Sequence, residues 1–383
     1  MAAPNDSDLK SPADPAGVLL VQPRTPRLAR QPWLLRLGRV AWAKVLLFAI
    51  SITLFILAII LMQAGAYALA PFIRDTLTVN KPTNGLGFGW LSAYLVFSGS
   101  PIAAASLTFY ASGIIDQLTA FYMITGSRLG ASIIVLFLGF IYVLRGRDAS
   151  TNLGMGLLTL SVTGSVYIVA LPLGRYLLQS DIFAHWNLQT ASMAGSLTSD
   201  LFAPAITIIT GIFPDWILFL VGLAISLLSF NLFDRCLPYF SLRDSVLGRP
   251  SRLVYRPLIM FLLGAGITLI SMSVSLSLGI LIPLSNRGFV RRENVIPYIM
   301  GANITTFVDT LFASMLLGNS KAPIIVLAQM LSIAIVSIFL LLFRFYRFEQ
   351  GLLCFVNWIT SSRARMTMVM GFIFLLPALL LLA

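Results

Sequence analysis

Histidine is nearly missing from this chain: His185 is the only one in 383 residues, and there are two cysteines, Cys236 and Cys354. A histidine metal centre is therefore excluded, and no cysteine–histidine spacing suits zinc. Both cysteines sit close to basic segments, so no disulfide framework is expected. Charge is scarce as well. Only 10% of the residues are charged against 58% hydrophobic, and the mean hydropathy is +0.91; a soluble core of this length would carry far more charge. Paired catalytic carboxylates and a Ser/His arrangement are also lacking, so the chain does not read as an enzyme. The alternating ten-residue segments of a membrane β-barrel do not occur either.

What the chain has is apolar length. Runs at Val45–Leu61, Ile133–Leu144, Leu153–Leu178, Ile217–Phe230, Ile324–Phe343 and Met366–Leu382 are of the size that spans or half-spans a bilayer. The fold class expected is an all-α polytopic membrane protein. The formal charge of +12 does not point to nucleic acid, because the basic residues gather in short segments flanking the apolar runs, as in cytoplasmic loops. Residues 1–43 are polar, Pro-rich and increasingly basic; they read as a disordered cytoplasmic tail before an uncleaved first span. The competing reading, a signal peptide ending at Ala-Tyr-Ala, requires a shorter basic region and a shorter apolar core.

Compared with itself at an offset of 175, the chain places Ser98 on Ser273, Ser100 on Ser275, Gly113 on Gly288 and Gly126 on Gly301. Charge supplies an independent test. With a cytoplasmic N-terminus, 90–110 forms a re-entrant hairpin from outside, 119–144 crosses inward and 153–178 outward. In the second half 216–234 runs inward, 257–283 is a hairpin from inside, 295–317 runs outward and 323–343 inward. That arrangement leaves only Arg74, Lys81, Arg175 and Lys321 outside and Arg128 within the membrane, with the rest of the 26 basic residues inside. Each element then opposes its partner, which predicts an inverted-topology repeat with re-entrant helical hairpins and broken transmembrane helices, as in many secondary transporters. The expected divisions are the tail 1–43, a first repeat 44–178, an outer connection 179–215, a second repeat 216–347, and an amphipathic linker with an extra helix over 348–383.

Irregular backbone at bilayer depth survives only inside protein or against a wet cavity. The hairpin tips are expected to hold Ser98, Ser100, Ser273 and Ser275, whose hydroxyls and nearby broken helix ends suit an anion. Thr125-Gly126-Ser127-Arg128 and Gly301-Ala302-Asn303-Ile304-Thr305-Thr306 are expected to interrupt their helices in the same way. Ser127, Asn303, Thr305, Thr306 and Asp309 are the candidate ion-binding or coupling groups. For hydroxyls at helix crossings, close packing is the competing account. Arg128 and Asp309 are charges inside the membrane, and such charges need a partner or a role. Either they form a structural ion pair, or Arg128 is an anion ligand and Asp309 its counter-ion or the ion carrier.

The second half resembles the sodium/phosphate cotransporter family over LIPLSNRGFVRRENVIPYIMGANITT (281–306). That family carries a QSSS signature about 28 residues before a GANIGTT-like string, once in each of two inverted repeats. Here Phe97-Ser98-Gly99-Ser100 and Met272-Ser273-Val274-Ser275 stand at the first motif, keeping the second and fourth serines and lacking the glutamine. Arg128 stands where the family has asparagine. The resemblance implies a midplane site between the repeats and Na⁺-driven uptake of phosphate. The fixed cation at Arg128 predicts fewer Na⁺ ions, H⁺ coupling, or another phosphate-bearing or anionic substrate.

The function expected is a secondary active transporter of an anion in the cell (inner) membrane. Substrate is held by Ser98, Ser100, Ser273, Ser275 and Arg128. The partners expected are phosphate or another small anion, Na⁺ or H⁺ as coupling ion, membrane lipids and a second copy of the chain as a homodimer; no other cofactor or metal is expected. Two rival readings are a transporter or flippase of a lipid-linked phosphate, signalled by a laterally open groove beside Arg128, and a non-transporting scaffold or sensor, signalled by Arg128 and Asp309 locked in a dry pair.

Overall fold

The computed structural model describes residues 42–144, 149–183, 202–204, 206–236, 256–272, 277–278 and 292–383. The expected tail, about half of the 179–215 connection and the second hairpin's return limb apart from 277–278, including Ser273 and Ser275, lie outside these residues. No strand occurs among the described residues, and seven helical stretches are long and apolar enough to cross a membrane.

The chain enters through α1 (Trp42–Pro71), a continuous run of strong helix formers and apolar residues. Its partner is α7 (Asp215–Cys236). A Cβ at Gly65 would meet the Asp215 carbonyl at 2.6 Å, and one at Gly222 would meet the Ala58 carbonyl at 2.8 Å. Ser51 and Ser229 exchange bonds, each hydroxyl donating to the other's carbonyl at 2.8 Å. Later residues of α1 thus meet earlier residues of α7: the two helices are antiparallel. Small residues at the seam let the backbones approach, the means by which helices associate where lipid removes the hydrophobic drive.

Two short helices follow α1. Helix α2 (Pro82–Val96) begins with proline in its first turn, where the missing N–H costs nothing, and ends at Phe97 with φ 51°. Helix α3 (Ser100–Ala111) again starts on a proline, Pro101, and ends at Gly113, whose φ is +70°. Arg74 donates to the carbonyls of Gly113 at 2.5 Å and Ile114 at 2.8 Å, covering the negative helix end. Helix α4 (Gln117–Ala131) starts on Asp116, whose carboxylate accepts from the Thr119 amide at 3.0 Å, an N-cap. It runs almost directly into α5 (Ile133–Leu144), and α6 (Ala149–Gln179) follows.

The second half contains α8 (Pro257–Ser271), α9 (Arg292–Thr305), α10 (Val308–Leu316) and α11 (Ala322–Phe339). A π-type turn at Leu340–Arg344 joins α11 to α12 (Phe345–Thr360), and α13 (Arg363–Leu382) ends the chain. The helix expected to end near 343 therefore continues to Thr360.

The packing of α2 on α4 is repeated by α8 on α9. A Cβ on Gly89 would overlap the Met123 carbonyl, and one on Gly126 the Leu86 carbonyl; a Cβ on Gly264 would overlap the Tyr298 carbonyl, and one on Gly301 the Phe261 carbonyl. Every residue in the second set is 175 positions after its counterpart. The left-handed residues that close α2 and α8, Phe97 (φ 51°) and Met272 (φ 48°), keep the same spacing. So do the starts of α2 and α8, of α4 and α9, and of α5 and α10.

One expectation is corrected here. Gly126 and Gly301 lie inside unbroken helices, and the interruptions fall after them, at Ser132 and at Thr306 and Phe307. The glycines keep their helical hydrogen bonds and serve as the place where a neighbouring backbone touches. The absence of Cβ matters there; loss of helicity does not.

Candidate functional site

The α2–α3 tip and the α9–α10 interruption meet around Arg128. Its side chain is 5% exposed and projects from α4. One terminal nitrogen donates to the Ser100 hydroxyl at 2.9 Å and the Thr306 hydroxyl at 3.3 Å. The other donates to Asp309 Oδ1 at 2.8 Å and to Thr310 Oγ1. The guanidinium carbon stands 5.0 Å from the centroid of Phe307, within cation–π range. Arg128 is thereby held by the start of α3 on one side and by the α9–α10 break and first turn of α10 on the other. Two groups keep spare capacity: Arg128 Nε and Asp309 Oδ2 are buried without a hydrogen-bond partner.

A buried ion pair of this kind is not itself a large source of stability, because desolvation offsets most of the attraction. What it does is fix a cation where two chain breaks, the α2–α3 tip and the α9–α10 interruption, converge. Beside it lies a cavity of about 260 Å³ lined by Ser98, Gly99 and Ser100, by Arg128, by Met272, and by Asn231 and Asp234 near the end of α7. At roughly 30 Å³ of liquid volume per water, this space holds several waters or one small oxyanion. The amino end of α3 faces it through residues 98–100, adding the positive end of a helix dipole to the guanidinium. A second cavity, of about 130 Å³, is mostly aromatic; Asp309 and Met272 line it with Phe55, Phe230 and Phe312.

The expected site residues separate into three groups. Ser98, Ser100 and Arg128 line the polar cavity, and Thr306 and Asp309 grip the guanidinium. Three others are engaged elsewhere. Ser127 donates back to the Ile124 carbonyl of its own helix at 2.7 Å, and Thr305 donates to the Ala265 carbonyl at 2.9 Å, fastening α9 to α8. Asn303 donates to Thr163 of α6 at 3.2 Å, while its carbonyl accepts from Tyr167 at 3.3 Å. Ser273 and Ser275 are the third group, lying outside the described residues. Asp116 caps a helix away from the site.

Several contributors escaped the sequence reading. Thr310 and Phe307 flank Asp309 and bind the same guanidinium. Asn231 and Asp234 bring amide and carboxyl groups to the cavity from a helix that looked like a plain span. Gln329 accepts from Thr125 at 2.9 Å and keeps a buried Nε2 without a partner. A lone glutamine in the apolar run 324–343 was the available signal, because an intramembrane amide needs a partner. Among the described residues, no three His, Cys, Asp or Glu side chains gather as a metal site. Comparison with family models, with characterised proteins and with solved structures returns no match.

Proposed function

We propose that this protein is a secondary active transporter of an anion, with phosphate as the leading substrate, held between two inverted repeats. The observation that carries the reading is the buried Arg128 guanidinium bordering a polar cavity at the tip of the α2–α3 hairpin. Cost is the reason: a charge at bilayer depth is expensive, and a polar cavity beside it makes little sense in a purely structural pair.

Three features support the architecture. Helices α2 and α3 are about 22 and 18 Å long by helical rise, short of a hydrocarbon core of about 30 Å. Their turn packs at Gly99 against Ser127 and Ala131 near the end of α4, as a re-entrant hairpin would. The antiparallel α1–α7 pair precedes two glycine-packed units of the same register, which suits opposite orientation of the halves. Asn231 and Asp234 of the cavity wall precede Arg235 in sequence, and the positive-inside rule supports reading this as an inward-facing arrangement.

The mechanism follows from charge balance. An anion entering the cavity competes with Asp309 for Arg128. A cation at Asp309, Na⁺ or H⁺, releases the guanidinium to the anion, so that the two load together. Ser98 and Ser100 orient the substrate, and the α3 dipole helps to hold it. Alternating access then moves the hairpins against α1 and α7. A structural role for the ion pair is the second reading, favoured by its short 2.8 Å contact.

Labelled phosphate uptake into proteoliposomes, with Na⁺ and pH gradients imposed separately, tests the choice. One gradient is expected to accelerate uptake, and the charge-neutral double variant Arg128→Gln/Asp309→Asn to abolish it. Uptake indifferent to both gradients and to the double variant would sink the proposal.

A further inference from the structure

We infer that the ligand of the Arg128 cavity is an amphiphile: a phosphate-type anionic head group on a hydrocarbon chain, with the chain lying in a groove between α5 and α13. The inference rests on the anion-site reading above and narrows its substrate class.

The groove encloses about 680 Å³ and is lined by apolar side chains such as Phe97, Phe137, Phe140, Met366, Met370 and Phe374. It exists because of how α13 is fastened. The carboxyl half of α13 packs tightly on α2: Asn84 donates to the Leu381 carbonyl at 2.8 Å, Tyr94 donates to the Ile373 carbonyl at 3.1 Å, and Gly87 lets the Pro377 carbonyl approach. Its first turns, at Met366 and Met370, instead leave the space facing α5.

Two observations join this groove to the polar cavity. Phe97 borders both the hydrocarbon path and the guanidinium site. It is half exposed at 54%, in a left-handed conformation, and its ring stands 5.5 Å from that of Phe137. Helix α5 also contributes to both, with Ile134 toward the polar cavity and Ile133 and Phe137 toward the groove. The equivalent notch in the second half is different. There Met272 and Phe312 occupy the positions of Phe97 and Phe137, but Phe55 stacks on Phe312 at 6.2 Å, and only about 130 Å³ remains.

The physical case is continuity. Lipid tails are as apolar as the groove, so a groove alone gives a chain no reason to bind. A head group that pairs with Arg128 supplies that reason, and the groove lets its tail stay among hydrocarbon while the head reaches the cation. Inorganic phosphate has no use for such a path.

The test uses the full chain in nanodiscs and a dodecyl phosphate carrying a photoreactive diazirine at the chain end, with labelled peptides mapped by mass spectrometry. Labelling is expected on α5 and α13 around Phe137 and Met370, displaced by excess dodecyl phosphate and not by dodecanol. It should fall about tenfold, a difference of about 1.4 kcal/mol, in Arg128→Gln/Asp309→Asn and in Met370→Trp, which narrows the groove beside Phe137; Met366→Trp serves should the latter not fold. Labelling spread evenly over the lipid-facing helices, or unaffected by dodecyl phosphate, overturns the inference, as does groove labelling that persists in the charge-neutral variant. Phosphate uptake separates the two levels. Arg128-dependent uptake without groove labelling leaves the anion site standing and removes the amphiphile; absence of any Arg128 dependence removes both.

Discussion

The two glycine-packed units, α2 with α4 and α8 with α9, are alike in scaffold and unlike in chemistry. Gly89 and Gly264, Gly126 and Gly301, and the left-handed Phe97 and Met272 make the same contacts or turns at one constant offset. The polar residues do not follow that symmetry. Position 128 is arginine where its counterpart, 303, is asparagine; Thr306, Asp309 and Thr310 face Ala131, Ile134 and Val135. One unit thus supplies a cation and the other the groups that hold it. The difference teaches that close backbone packing is what a repeated fold must preserve, while the site is free to be asymmetric because it forms between the units.

The largest break in the comparison should come from Arg128→Gln alone. It leaves the Asp309 carboxylate buried and unpaired, a loss of about 3–5 kcal/mol, read as a large drop in thermal stability in detergent. Adding Asp309→Asn should restore most of that stability without restoring uptake. Equal destabilisation of the single and double variants would show that the pair is not what the single change breaks.

Gly126→Ala and Gly301→Ala should each cost about 1–3 kcal/mol by overpacking against the Leu86 and Phe261 carbonyls, and should cost alike. Thermal unfolding of the two variants measured side by side tests the matched scaffold; a cost confined to one of them would refute it.

Asn303→Ala should be milder. It removes the bond to Thr163, and such interhelical bonds average about 0.6 kcal/mol with a maximum near 1.7. Uptake should persist, in contrast to Arg128. Loss of uptake with stability intact would return Asn303 to the site.

The smallest effect is expected at the tips. Phe97→Gly and Met272→Gly relieve about 1–2 kcal/mol of left-handed strain but add about 0.4–1 kcal/mol of unfolded-state freedom. Stability should therefore change little in either variant, by between about 0 and 1.6 kcal/mol. Should Phe97→Gly nevertheless alter uptake while Met272→Gly does not, the border of cavity and groove is identified as functional.

Much of this was legible in the residues. The apolar runs located Leu153–Gln179 and Ala364–Leu382 within a few positions but stopped short of the ends of others at Pro71 and Thr360, because a bilayer demands length and hydrophobicity while a helix can continue past the apolar stretch. The 175-residue offset was visible in Gly126 and Gly301. Their role was misjudged, since a glycine that breaks a helix and one that admits a neighbour look the same in sequence. Arg128 and Asp309 were conspicuous as intramembrane charges and their pairing was among the expectations, but the Ser100, Thr306 and Thr310 hydroxyls that share the guanidinium were not legible, because they reach it from segments far apart along the chain. Ser127 and Thr305 appeared equal to Ser100 and Thr306; helix phase and the positions of the breaks turned the first two toward backbone carbonyls and the last two toward the guanidinium.

By itself the sequence determined an all-helical chain built to span a membrane, with recurrent long apolar runs and a 175-residue repeat of small residues, since periodicity and hydropathy are local properties. Only the tertiary structure decided where the breaks converge, which hydroxyls Arg128 binds, and that a polar cavity and an apolar groove share Phe97. Those are relations between segments far apart along the chain, fixed by which backbones can approach closely enough to touch.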